Sequence, residues 1–360
     1  MQKCNRMGKP SKRRLNLKPI EACTFDDVLI APRYSEVRSR SDVNLATKLG
    51  DIELCLPVIS SNMKTITGSK MASTIAMLGG IGILHRFCSV EENVEMYEYA
   101  IRLINAEIPA DTLAKRMFSK NVGVSLGVKD DDKRRFENLY KAGARIFCID
   151  VAHGHHVLVK EMVEWLQGCN ITIIAGNIAT AEAYDDFVDW GVDIAKVGIG
   201  PGAACITRKR TGVGVPQLYA LEQVYNASLS QKKPIPFIAD GGISMVGDAV
   251  KALKYADAVM LGSFFSGTSE TPGHVFRNEH DEMYKTYGGS ASGENKGENK
   301  FVEGVVKTVR FKGKVKYLIK ELTEGIQSAC SYVGAKDLIE FKENCEFVRL
   351  SPGAQKESKL

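Results

Sequence analysis

A cysteine sits in an open setting within KVGIGPGAACITRKRTGVGVPQ, residues 196–217. Gly198, Gly200, Pro201 and Gly202 precede Cys205 and leave little side-chain bulk beside it. Glycines at this density let a ligand or ion come close to the backbone. The thiol is then either core filler or a nucleophile. Thr207 lies two residues on, within reach for proton transfer if the loop folds back. A thiolate is a strong nucleophile toward an electrophilic ring carbon. The loop carbonyls are hard oxygen donors of the kind that hold a monovalent cation. A second group reads Asp240-Gly241-Gly242, with Gly262-Ser263 further on. Backbone N–H groups free of side chains hold phosphate, and an aspartate accepts hydrogen bonds from sugar hydroxyls. Together they read as a nucleoside monophosphate site; the alternative is that Asp240 caps a helix and the glycines only make turns. His153, His155 and His156 cluster in AHGHH but lack the matching Cys or Glu of a zinc set.

These groups need elements to carry them. Apolar runs rich in Val and Ile recur at 56–61, 81–85, 122–128, 145–152, 171–177, 194–200, 236–242 and 257–263. Most are followed by a helical pattern. Continuous apolar strands alternating with amphipathic segments predict a parallel sheet buried on both faces. Eight such units predict a closed (β/α)8 TIM barrel, with a doubly wound open sheet as the rival. In a barrel, ligands bind at the C-terminal strand ends, and barrels commonly hold phosphate after strands seven and eight. Those ends carry SSNMKT, Asp150, Asn177, the Cys205 loop, Asp240-Gly241-Gly242 and Gly262-Ser263. Ser89 with Glu92 has capping-box spacing before a helix over 89–104. A second helix over 130–144 has Gly143 near its end. Residues 284–313 are polar and Gly-rich, with a hairpin-like GVVKTVRFKG, and read as a long flap after strand 8 rather than a disordered insertion.

No internal repeat or linker divides the 360 residues, so the domain plan is a basic tail (1–20), one catalytic barrel (21–345, flap included) and a C-terminal tail (346–360). The net charge of +5 is a tail effect, because residues 1–20 hold seven Lys and Arg and no acid. That tail reads as solvated and disordered, so no nucleic-acid partner is expected. No run of 18 apolar residues exists, and no membrane span is expected. Nine dispersed cysteines without a C-x-x-C pair fit a reduced, intracellular protein. Ser358-Lys359-Leu360 reads as a peroxisome-type address for an import receptor, glycosomes included; without it the expectation is the cytosol.

With the loop, TFDDVLIAP (24–32), SSNMKT (60–65), IDVAHGH (149–155), AGN (175–177), IADGGI (238–243) and SYVGA (331–335), the chain resembles the family of GMP reductase and IMP dehydrogenase over about residues 20–335. The resemblance implies that Cys205 attacks C2 of the purine to form a thioimidate, while Thr207 and Glu303 relay protons. It implies that Met63, Asp240, Gly241, Gly242, Gly262, Ser263, Gly288, Gly289, Ser290 and Gly304 hold the nucleotide. Ser39, Arg40, Arg86, Asp150, Val151, Ala152, Gly200, Ser328 and Ser331 would lie along NADPH. Carbonyls of Gly200, Gly202, Cys205 and Arg208 would hold a monovalent cation, K+ being expected, and a homotetramer is the family habit. Ala203 and Lys64 depart from the common family pattern, in which Ser and Asp stand there, so one phosphate contact and the bonding near the base are in doubt.

Both family activities share the covalent intermediate, so Cys205 does not separate them. The dehydrogenase must hydrolyse it and in this family uses an Arg-Tyr pair in the flap as base; residues 288–303, GGSASGENKGENKFVE, contain neither. Glu303-Gly304 sits where the reductases carry their catalytic E-G, and RKRTGVG (208–214) is closer to the reductases. The expectation is therefore reduction of GMP to IMP and ammonia with NADPH, with oxidation of IMP to XMP as the alternative. A flavin-dependent barrel and a catalytically dead barrel acting as a binding scaffold are the readings from other classes.

Overall fold

All eight apolar runs become strands of one closed, all-parallel barrel in the computed structural model, which describes residues 19–109, 112, 118–289, 292 and 302–357. Three short strands come first: β1 (Val28–Ile30), β2 (Thr47–Leu49) and β3 (Ile52–Leu54). The barrel is β4 (Val58–Ser60), β5 (Ile81–Leu84), β6 (Val122–Leu126), β7 (Ile146–Asp150), β8 (Thr172–Ile178), β9 (Ile194–Val197), β10 (Phe237–Asp240) and β11 (Ala258–Leu261). Each strand pairs with its neighbours in sequence, and β11 closes on β4. The expected TIM barrel is thus found, and the open sheet is excluded because it would leave two unpaired edges.

The strands are buried on both faces. Ile59, Ile81, Ile83, Ile146, Cys148, Ile174, Ile194, Ile238 and Met260 form one cluster inside the barrel. Leu49, Ile52 and Leu54 of the β2–β3 hairpin belong to the same cluster, so the hairpin plugs one end. A larger cluster lies between strands and helices. Ala195 and Val197 of β9 belong to that outer layer and Ile194 to the inner one, so by alternation Lys196 points into the barrel.

The helix Val90–Glu107 begins with the expected capping box: Ser89 Oγ accepts from Glu92 N (3.1 Å), and Ser89 N donates to Glu92 Oε2 (2.8 Å). The helix Asp130–Lys141 is followed by Gly143 at φ +105°. After the barrel, β12 (Phe276–Arg277), β13 (Met283–Gly288) and β14 (Val306–Arg310) form an antiparallel sheet. The GVVKTVRFKG stretch supplies β14, so both described ends of the flap are paired strands. The C-terminal tail expected from residue 346 is ordered structure as far as residue 357: β15 (Phe347–Arg349) pairs with β1, and a helix covers Pro352–Glu357. A three-residue strand is too short for its alternation to show in sequence. Among the described residues no helix is long and apolar enough to cross a membrane. Ser290, Ser358-Lys359-Leu360 and all but two residues of the basic N-terminal segment lie outside the described residues.

Candidate active site

The C-terminal strand ends enclose a cavity of about 630 Å³, lined among others by Met63, Arg86, Asp150, Cys205, Asp240 and Glu303. Its chemistry centres on Cys205. Cys205 N donates to Gly202 O (2.9 Å), closing the glycine loop into a tight turn. The flap crosses this loop: Cys205 bridges Gly304, Ile206 N donates to Glu303 O (2.8 Å) and Val305 N to Ala204 O (3.0 Å). These backbone bonds bring Glu303 to Thr207. The Cys205 thiol donates to Thr207 Oγ1 (3.1 Å), and the Thr207 hydroxyl donates to Glu303 Oε2 (2.8 Å). A half-buried thiol on a hydroxyl on a carboxylate is a proton relay, and it is the arrangement a covalent nucleophile needs. The core-filler reading of Cys205 fails, since the thiol faces the cavity.

The floor is polar and preformed. Lys196 Nζ lies 2.7 Å from Asp150 Oδ1 and 2.8 Å from Asp240 Oδ2, and also donates to Asn177 Oδ1. Asn177 Nδ2 in turn donates to Asp240 Oδ2 (2.9 Å) and Gly198 O (2.6 Å). Burial pushes Lys196 toward its neutral form, but the two carboxylates outweigh it and hold the ammonium above the usual lysine range. Burial likewise raises the Asp150 carboxyl, and the Lys196 charge with its hydrogen bond overrides this, so the net shift is downward. Tyr287 of β13 forms part of the wall; burial, then Asp240 and Cys205, push its phenol up to about 12, so it stays a neutral donor. His85, directly after β5, is held at about 4 by burial and by Lys64 and Arg135, so it is neutral near pH 7.

Two glycines are required by this geometry. A Cβ on Gly198 (φ +147°) would fall 1.9 Å from Asp240 O. A Cβ on Gly241 (φ +94°) would press on Pro201 and Gly202 N at 3.0 and 3.2 Å. The Asp240-Gly241-Gly242 turn and the cysteine loop therefore fit together only without side chains there. Gly262 sits against Met63 Sδ, 3.1 Å from where its own Cβ would be, and Ser263 follows it at the end of β11.

Of the residues expected from sequence, the cavity wall unites Met63, Arg86, Asp150, Val151, Ala152, Gly200, Gly202, Cys205, Thr207, Asp240, Gly241, Gly289, Glu303 and Gly304. Gly242, Gly262, Ser263 and Gly288 flank it. Ser39, Arg40, Ser328 and Ser331 are not brought to it: the turn Arg40–Asp42 packs on the helix Val315–Tyr332, where Ser331 Oγ donates to Ser328 O (2.7 Å). The Arg208 side chain is spent on the loop itself, donating to Val215 O across Gly200 and Gly214. Lys196 was missed, although its signal is plain: a lysine in IAKVGIG, a run that must be buried on both faces.

A second, more open cavity of about 670 Å³ lies outside the barrel by the helices Val157–Leu166 and Ala181–Trp190. His155 Nε2 meets Asp186 Oδ2 there at 2.6 Å. No cysteine, serine or threonine lines it, and no metal-ligand group of three or more exists among the described residues.

Comparison with known proteins agrees with this geometry. The family model described as IMP dehydrogenase / GMP reductase domain matches residues 22–360. A GMP reductase of Acidovorax sp. (strain JS42) is 38% identical over 331 residues, covering 90% of this chain and 95% of its own. An inosine-5'-monophosphate dehydrogenase of Borreliella burgdorferi is 37% identical over 391 residues, covering 94% of this chain and 96% of its own. A crystal structure of a cysteine-to-alanine GMP reductase from Trypanosoma brucei in complex with guanosine 5'-monophosphate matches with a TM-score of 0.85 at 29% identity, covering 96% of this chain and 98% of that one. Identities this similar to a reductase and a dehydrogenase identify the kinship without choosing the reaction. The chain belongs to the IMP dehydrogenase / GMP reductase family, a family of oxidoreductases.

Proposed function

We propose that this protein is a GMP reductase, converting GMP to IMP and ammonia with NADPH. The observation that carries the reading is the Cys205–Thr207–Glu303 relay, joined to a flap whose residues 288–303 hold no Arg or Tyr to activate water. Cys205 passes its thiol proton through Thr207 to the Glu303 carboxylate, and the resulting thiolate adds to C2 of the guanine. Glu303 returns that proton through Thr207 to the exocyclic amine, which leaves as ammonia. The product is a thioimidate in which sulfur has replaced nitrogen on C2. NADPH, when bound, supplies the hydride that adds to C2. The C2–sulfur bond then breaks, restoring the thiolate and leaving IMP.

The residues fit their ligands. Asp240 faces the cavity beside the Gly241-Gly242 turn, the disposition that suits a ribose hydroxyl next to a phosphate. Asp150, Val151, Ala152 and Arg86 also line the cavity and would hold the dinucleotide, and Arg86 Nε is buried with no partner. The carbonyls of Gly200, Gly202, Cys205 and Arg208 are the donors for K+. Those of Gly202 and Arg208 each already accept one backbone N–H, at 2.9 and 3.1 Å, and keep a second lone pair.

The test is direct: oxidation of NADPH in the presence of GMP, run beside reduction of NAD in the presence of IMP. NADPH consumption with stoichiometric IMP and ammonia is expected. Steady formation of XMP from IMP overturns the reductase reading and establishes the dehydrogenase.

A further inference from the structure

Among the described residues two lysines are fully buried, and they are held in opposite ways. Lys285 of β13 donates to the carbonyls of Thr268 (3.1 Å) and Thr271 (2.5 Å) and bonds no carboxylate. Burial lowers its pKa. Lys196 is 1% exposed and bonds two carboxylates and an amide, all three from different strands. Its nitrogen is 2.7 Å from an Asp150 oxygen and 2.8 Å from an Asp240 oxygen, so those oxygens are at most 2.7 + 2.8 = 5.5 Å apart. Two carboxylates that close repel each other unless a cation stands between them.

Stability does not account for a lysine in this place. A buried ion pair is often replaced by apolar side chains without loss, because desolvating the charges consumes the Coulomb gain. β9 continues as Ile194 below and Val197 beside, so an aliphatic residue suits the strand. The three partners of Lys196 all line the cavity; in the proposed reading Asp240 serves the nucleotide and Asp150 the cofactor.

From this we infer that Lys196 is the positioning residue of the site, the one shared counter-ion that fixes the Asp150 and Asp240 carboxylates and ties the nucleotide half of the cavity to the cofactor half. It acts through the aspartates rather than on the reacting atoms. The inference rests on the reading of the cavity as a nucleotide and dinucleotide site. Around Asp150 the other facing groups are Arg86 after β5, Asn62 after β4 and Cys148 on its own strand. Asp240 faces Asn177 from β8 and Tyr287 from the flap. None of these but Arg86 is a cation, and Arg86 Nη2 is engaged with the Asp150 carbonyl at 3.2 Å. Removing the Lys196 charge leaves burial as the dominant influence on Asp150, so its carboxyl takes up a proton at a higher pH than in the unmodified protein.

The experiment compares Lys196→Met and Lys196→Arg with the unmodified protein. It reads equilibrium binding of GMP and of IMP, KM for NADPH, the pH profile of kcat/KM and thermal unfolding. For Lys196→Met, nucleotide binding should weaken about 10- to 100-fold, the range for losing a hydrogen-bonding carboxylate's alignment. KM for NADPH should rise with it, and the acid limb of kcat/KM should move up by about one pH unit or more. Lys196→Arg should return the acid limb toward its original position. A folded Lys196→Met protein with unchanged nucleotide binding and an unmoved acid limb overturns the inference and leaves a purely structural lysine. Should that variant not fold, the double variant Lys196→Met, Asp150→Asn removes the opposed charges. It should fold and bind GMP at least about tenfold more weakly, through the loss of Asp240 alignment; binding equal to the unmodified protein overturns the inference. Because binding of both GMP and IMP is read without turnover, a protein that proved to make XMP would sink the reductase reading and leave this test standing.

Discussion

The cavity has two halves built on different principles. The binding half is Lys196, Asp150, Asn177 and Asp240, four side chains from the neighbouring strands β7 to β10. The barrel ladder fixes their spacing before any ligand arrives. The chemical half is Cys205, Thr207 and Glu303, and its last link joins residues 96 positions apart through the flap. Its geometry depends on the backbone bonds of Ile206 to Glu303 and Val305 to Ala204. In the proposed reading, one barrel binds constantly and reacts conditionally: much of recognition sits on rigid strands, whereas the proton path is completed by a segment that crosses the mouth.

The largest expected effect isolates the chemical half. Cys205→Ala should reduce turnover by at least about 10,000-fold, as loss of a covalent nucleophile does. Binding of GMP should change little, because Asp240, Asn177 and the glycine turns are untouched, and stability should hold. Equilibrium binding and initial rates on one preparation decide this. A variant that kept its activity would remove the covalent step, and one that lost GMP binding would erase the division between halves.

Glu303→Gln keeps size and one hydrogen bond to Thr207 but passes no proton. Conversion of GMP to IMP should slow by about 100- to 10,000-fold, the range for removing general acid–base help. Hydride exchange between IMP and the oxidised cofactor moves no ammonia and should suffer much less. Equal losses in both assays would mean that Glu303 only shapes the flap.

Asp240→Asn probes the binding half. It keeps the shape but removes one of the two charges on Lys196 and one charged hydrogen-bond acceptor. A hydrogen bond to a charged group is worth about 1.5–3 kcal/mol, so KM for GMP should rise about 10- to 100-fold. The effect on kcat should be smaller, and a variant with kcat lowered more than KM is raised would place Asp240 in the reaction itself.

Much of this molecule is legible in the sequence because its signals are local. Each barrel strand is a short apolar run buried on both faces, and the capping box at Ser89 is a spacing of three. The relay is not local: nothing in the chain order says that Glu303 reaches Thr207, and family resemblance alone supplied that pairing. β15 was unreadable because its partner β1 lies at the other end of the chain and both are three residues long. Lys196 is legible in principle, because it is the one residue that breaks the apolar pattern of its strand, and a buried charge in such a run requires partners. Ser39, Arg40, Ser328 and Ser331 show the reverse case, residues that the resemblance gathers and the single chain keeps apart from the cavity.

The smallest effect tests the join between the halves. Lys307, on β14, reaches back to donate its Nζ to Ala203 O at 2.8 Å. It is exposed, so water competes for both the ammonium and the carbonyl. A contact of this kind contributes about 0.5–1.5 kcal/mol at most, which is roughly a two- to tenfold change in an equilibrium constant. In Lys307→Met the aliphatic stem remains along the strand and only the link to the cysteine loop is cut. The flap should then spend less time across Cys205, and kcat should fall about two- to fivefold, toward the lower part of that range. Binding of GMP should change less than kcat, because the Lys196 network on the barrel strands is untouched and only the flap glycines Gly289 and Gly304 are loosened. Higher salt should shrink the difference between variant and unmodified protein, as it does for exposed charges. If KM for GMP rose in this variant while kcat stayed fixed, the flap would belong to recognition, and the two halves would be one.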